Sequence, residues 1–270
     1  YVGATTVKTP GRAGEGLRSL PDSINVAYLA GVEDCSSSTG EFSLGVKRGS
    51  CGSLADNCSA QVEPTRTWRG VGDVAPNRVW LGSMVPIPSC CEQCNWGGGI
   101  TPEEWGANAA ASIEKIILRY RLDGLDLNIE AGKSNFGQYV CSLFKHLNQR
   151  MGPGLIYTLT PCCGLVSMYA SRAAAQPSQL LHGAERDGCA SRYQEVATQC
   201  ASNVSLIQVQ TYSTGPTSSG DITTYGLNMF GESKTGWSVA SRSGGFPAPS
   251  GKGGLWNDVQ SFHEAHPAAR

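Results

Sequence analysis

The sequence predicts an α/β protein, a single-domain (β/α)8 TIM barrel with disulfide-tied loops that spans residues 1–270. Eight short apolar runs, each five to nine residues long, recur between Gly-, Pro- and Ser-rich stretches and read as strands. Amphipathic helical patterns alternate with them, which favours a parallel sheet with helical crossovers. A chain of 270 residues also suits one barrel, since such barrels typically run to about 250 residues.

In chain order the strand candidates are 1–7, 24–30, 78–85, 122–130, 155–160, 204–212, 236–241 and the short Gly253-Gly254-Leu255-Trp256-Asn257 run. Each is rich in β-branched, aliphatic or aromatic residues and bounded by turn formers. The clearest helix follows the third strand. Thr101 is its N-cap, Pro102 its first residue, and Glu104 closes a capping box. Trp105, Ala109, Ile113, Ile116 and Tyr120 then fall on one stripe at steps of three or four residues. A second helix is expected over 136–151, stopped by Gly152-Pro153, a third over 192–201, and a closing one over 257–265 with Asn257 as cap. Residues 31–77 show no periodicity and read as a disulfide-tied excursion from the second strand, not as a second domain.

Composition narrows the partners. The net charge of −1 gives no electrostatic reason to expect nucleic acid or an anionic membrane. No run of about 18 apolar residues exists to span a bilayer. Eleven cysteines, at 35, 51, 58, 90, 91, 94, 141, 162, 163, 189 and 200, fit an oxidising compartment, with one thiol left over if the rest pair within the chain. A zinc site is not expected. Cys91 and Cys94 lack a second pair at suitable spacing, and His146, His182, His263 and His266 lie far from any cysteine pair. Asn57 and Asn203 stand in Asn-x-Ser triplets, acceptors for glycosylation in a eukaryotic secretory pathway. The chain opens on an apolar run without a charged-then-apolar leader, as expected of a mature secreted protein.

The fourth strand carries the chemistry. Residues two apart share a strand face, so Gly124, Asp126, Asn128 and Glu130 line one side and Leu125, Leu127 and Ile129 the other. In a barrel the polar side faces the axis, and Glu130 falls at the carboxyl end, where barrel enzymes hold their active sites. A half-exposed edge strand would show a similar alternation, but the run follows a well-capped amphipathic helix, as a buried crossover strand does.

The run Leu122-Asp123-Gly124-Leu125-Asp126-Leu127-Asn128-Ile129-Glu130 resembles the Asp-Gly-x-Asp-x-Asp-x-Glu signature of glycoside hydrolase family 18, the chitinases and their relatives, and departs from it only at Asn128. Other segments agree in order. The 24–30 run resembles the family's second strand. The third strand carries Leu81-Gly82-Ser83-Met84 where Ser-x-Gly-Gly is usual. Gln210-Thr211-Tyr212 resembles the Gln-x-Tyr strand, and 253–257 the last strand with its tryptophan. The compact, cysteine-tied chain is most similar to the class III type.

The resemblance implies retaining hydrolysis of β-1,4-linked N-acetylglucosamine polymers, assisted by the substrate's own acetamido group. Glu130 would be the acid and then the base, with Asp126 and Asn128 supporting it and Tyr212 bonding the acetamide oxygen. Trp256 would stack on the sugar, Gln210 and Tyr28 would line the substrate site, and Asp123 would be structural. It implies no cofactor and no metal, and chitin or another N-acetylglucosamine-containing oligosaccharide as the partner of a secreted monomer. Asparagine at 128 leaves several readings open: an enzyme tuned to Asn-x-Glu, a weakly catalytic lectin or hydrolase inhibitor, or an Asp→Asn exchange that traps substrate. Another group of endo-acting N-acetylglucosaminidases pairs asparagine with glutamic acid, so the arrangement can work, and the substrate stays open among chitin, peptidoglycan and the chitobiose core of N-glycans, the last as for an endo-β-N-acetylglucosaminidase.

Overall fold

The structure is a computed structural model. It describes residues 3–7, 24–36, 41–44, 79–85, 100–127, 136–161, 193–210, 226–238 and 254–269. Two compact units divide the chain, Tyr1–Tyr157 and Thr158–Arg270.

The first unit is built on β1 (Gly3–Val7), β2 (Ile24–Ser36), β3 (Glu41–Leu44), β4 (Val79–Val85) and β5 (Gly124–Leu127), and β6 (Ile156–Leu159) begins in it. Pairing is parallel from β1 to β2, β2 to β4 and β4 to β5. Two helices complete the unit, α1 (Pro102–Tyr120) and α2 (Phe136–Met151). The alternating strand–helix pattern thus forms the parallel sheet it predicts.

Helix α1 starts where local chemistry dictates. The Thr101 hydroxyl accepts from Glu104 N–H at 3.2 Å, and Thr101 N–H donates back to Glu104 Oε2 at 2.9 Å, so both reciprocal bonds of the capping box are made. Trp105, Ala109, Ile113, Ile116 and Tyr120 are buried. Helix α2 packs closely on α1: a Cβ on Gly106 would fall 2.2 Å from Ser142 Oγ. At the end of α2, Gly152 takes a φ of 85° and its N–H donates to Asn148 O at 2.9 Å, the left-handed stop that glycine permits at little cost.

Two expectations need correction. Residues 31–77 are not wholly aperiodic. Strand β2 continues through Ser36, and β3 folds back on it antiparallel, with Val32 opposite Leu44 and Asp34 opposite Phe42. The intervening residues, Ser37 to Gly40, are of turn-forming types. What holds β3 is remote in sequence. Phe42 is buried edge-on against Trp105 of α1, with ring centroids 5.8 Å apart, and Phe42 N–H donates to Ser112 Oγ at 3.0 Å. Trp105 in turn meets Tyr139 of α2 edge-on at 5.5 Å. The rest of the excursion lies outside the described residues.

The second correction concerns the last strand candidate. The second unit holds a helix over 193–199 (α3), β7 (Val204–Gln210), β8 (Thr235–Ser238) and a closing helix α4 (Gly254–Ala265). Strands β7 and β8 pair in parallel, Ile207 opposite Thr235. Residues 254–257 are instead the first turn of α4 and not a strand, so Asn257 lies inside the helix and not at its cap. Leu255, Val259 and Phe262 recur at steps of four and three, a helical period that the two adjacent apolar residues of a five-residue window cannot reveal. Cys141 and Cys200 are both disulfide-bonded.

Candidate active site

Strands β4 and β5 pair with Leu81 opposite Gly124 and Ser83 opposite Asp126. Strand β2 sets Tyr28 opposite Leu81 and Ala30 opposite Ser83. Since register partners in a parallel pair present the same face, Tyr28, Leu81 and Gly124 form one row, and Ser83 and Asp126 belong to the next. All four residues of β5 are buried, so the acid at 126 is taken out of water together with its leucine neighbours.

Burying a carboxylate is costly unless its oxygens are hydrogen-bonded. Asp126 is only 3% exposed, and the Ser83 hydroxyl donates to its Oδ2 at 3.1 Å. Ser83 is itself 6% exposed. The sequence marks Ser83 only as part of an altered third strand. Its function as a partner of Asp126 depends on pairing across 43 positions, and the one available signal is its place two residues after Leu81 on the polar-facing side of β4.

Asp123 stands at the other end of β5. Its Oδ2 accepts from Trp80 N–H at 2.7 Å, its own N–H donates to Trp80 O at 2.7 Å, and its carbonyl accepts from Ile156 N–H at 3.0 Å. These bonds lock together the amino ends of β4, β5 and β6. Gly124 follows because no side chain fits there: an added Cβ would lie 1.8 Å from the Ile156 carbonyl oxygen.

The structure thus brings Tyr28, Ser83 and Asp126 to one face, with Tyr28 buried at 5% exposure. Asn128, Glu130 and Tyr212 lie outside the described residues. Gln210 is the last described residue of β7, and Trp256 is in the first turn of α4; their side chains lie outside the description. Among the described residues no group of three or more His, Cys, Asp or Glu is arranged to hold a metal ion. Nor is any described helix long and apolar enough to cross a membrane.

The fold is the (β/α)8 barrel found in glycoside hydrolase family 18. The catalytic domain of a family 18 chitinase from the fern Peteris ryukyuensis is similar over 100% of this chain and 89% of its own, with a TM-score of 0.65 and 16% identity. A chitinase from Aspergillus fumigatus is similar over 99% of this chain and 88% of its own, at TM-score 0.63 and 13% identity. A fungal endo-β-N-acetylglucosaminidase of family 18 is similar over 100% and 88%, at TM-score 0.61 and 12% identity. No family model and no curated protein matches the chain.

Proposed function

We propose that the chain is a secreted, monomeric, retaining glycoside hydrolase of the family 18 type, acting on β-1,4-linked N-acetylglucosamine. One observation carries the reading: in a fold similar to that of family 18 hydrolases, a buried strand sets Asp126 on the polar-facing side, with Asn128 and Glu130 following at the same two-residue step in sequence. Disulfide-bonded Cys141 and Cys200 support an oxidising compartment.

In this mechanism the substrate's acetamido oxygen attacks the anomeric carbon while the bond to the leaving oxygen breaks. Glu130 gives its proton to that oxygen. The cyclic oxazolinium intermediate is then opened by water, which loses its proton to Glu130, and two inversions give net retention. Asn128 accepts the acetamide N–H through its side-chain oxygen and Tyr212 donates its hydroxyl to the acetamide oxygen. Trp256 stacks on the sugar, and Gln210 and Tyr28 line the substrate site. The Ser83 bond fixes the orientation of Asp126, two residues before Asn128 in sequence.

A neutral Asn128 aids the cationic intermediate less than a carboxylate would, because hydrogen bonds to charged groups contribute about 1.5–3 kcal/mol against about 1 for neutral ones. The same residue favours a second substrate reading, an endo-β-N-acetylglucosaminidase acting on N-glycans, in line with the fungal structure of that activity among the similar ones. Incubation with chitooligosaccharides and, separately, with high-mannose glycopeptides tests both. Cleavage of the first supports the chitinase, and cleavage of the second alone moves the substrate to the chitobiose core. Binding without cleavage of either reassigns the protein as a lectin.

A further inference from the structure

The structure assigns Asn203 as a site of N-linked glycosylation, at the end of the fold opposite the carboxyl rim of the strands. Asn203-Val204-Ser205 is an acceptor triplet by sequence, and the geometry around it is permissive. Asn203 closes a single 3-10 turn, Ala201–Asn203, directly before β7. Its backbone N–H donates to Cys200 O at 3.0 Å. Its side chain is partly exposed, and the amide makes no hydrogen bond among the described residues. Replacing one amide hydrogen by a sugar therefore breaks no bond of the fold. The turn itself is held by Lys234 Nζ, which donates to Ala201 O at 2.6 Å in a bond that does not involve the Asn203 amide.

Position makes the site compatible with catalysis. Asn203 precedes β7 at its amino end, whereas Gln210 ends the described strand. At about 3.3 Å per residue the two lie roughly 20 Å apart along the strand. Barrel enzymes work at the carboxyl ends of their strands, so a glycan on Asn203 leaves the substrate path clear. The neighbouring Cys200 is disulfide-bonded, in keeping with the secreted protein proposed above, on which this inference rests. In the transfer itself, Asn203 Nδ2 forms a bond to the first sugar's anomeric carbon. That carbon's bond to the diphosphate of a lipid-linked oligosaccharide donor breaks. Nδ2 loses one proton and the diphosphate leaves with the electron pair.

The test is expression of the full chain behind a secretory leader in a eukaryotic host, in an Asn57→Gln background that removes the other triplet. Mass spectrometry of the 203-containing peptide is expected to show a hexose/N-acetylhexosamine addition. Enzymatic release in heavy-oxygen water should convert Asn203 to labelled aspartate, and Ser205→Ala should abolish the addition. Should secretion fail, translation in a lysate with microsomes reads the same event, with the parent migrating one glycan heavier than Ser205→Ala. An unmodified Asn203 in either assay overturns the assignment.

Discussion

Ser83 and Asp126 face each other across the parallel β4–β5 pair, and the serine hydroxyl donates to the buried carboxylate at 3.1 Å. A hydrogen bond to a charged group contributes about 1.5–3 kcal/mol. Ser83→Ala is therefore expected to lower unfolding stability by that amount in urea titration. Because Asp126 lies on the face proposed to carry catalysis, turnover should fall as well.

Gly124→Ala is expected to be more disruptive than its one methyl group suggests. The new Cβ would fall on the Ile156 carbonyl, which is backbone and cannot swing aside. Overpacking ordinarily costs about 1–3 kcal/mol, and relief here requires the β5 and β6 backbones to part. Reduced soluble yield and a lowered melting temperature would check this. A variant as stable as the parent would show that β6 shifts freely.

The start of α1 gives a pH dependence with a defined sign. Bonds from the Thr101 backbone N–H and then its hydroxyl hold the Glu104 carboxyl below its ordinary value of 4.5. Glu103 is lowered too, first by its hydrogen bond from Lys145 and further by the charges of Lys145 and His146. A carboxyl whose folded pKa lies below the unfolded one stabilises the fold above the unfolded value, and that contribution is lost as pH falls through the folded value. Melting temperature should thus decline as pH drops below 4.5. Thr101→Ala should cost about 1 kcal/mol at neutral pH and flatten part of the acid decline.

Legibility in the sequence followed the range of the interactions. The α1 cap was readable because Thr101 and Glu104 are three residues apart and nothing else is required. Asp126 was readable because a strand's two-residue period acts within one segment. Strand β3 was not, since Phe42 is fixed by Trp105 and Ser112, far along the chain. Ser83 escaped as a site residue for the same reason. The amino end of α4 is ambiguous in sequence because Leu255-Trp256 fits either a short strand or a first helical turn, and only Val259 and Phe262 beyond it decide.

Restoring the carboxylate at 128 addresses the amide directly. If Asn128 supports the intermediate only as a neutral acceptor, Asn128→Asp gains roughly 1.4 kcal/mol of transition-state stabilisation, about tenfold in kcat. Unchanged or slower turnover would mean the surrounding groups are adapted to asparagine.

The most direct test compares the parent with Glu130→Gln on a chitooligosaccharide, following the anomeric configuration of the fresh product by NMR. The account predicts cleavage by the parent with the β-anomer appearing first, and binding without cleavage by the variant. Equal rates in the two proteins, or an α-anomer from the parent, would contradict it.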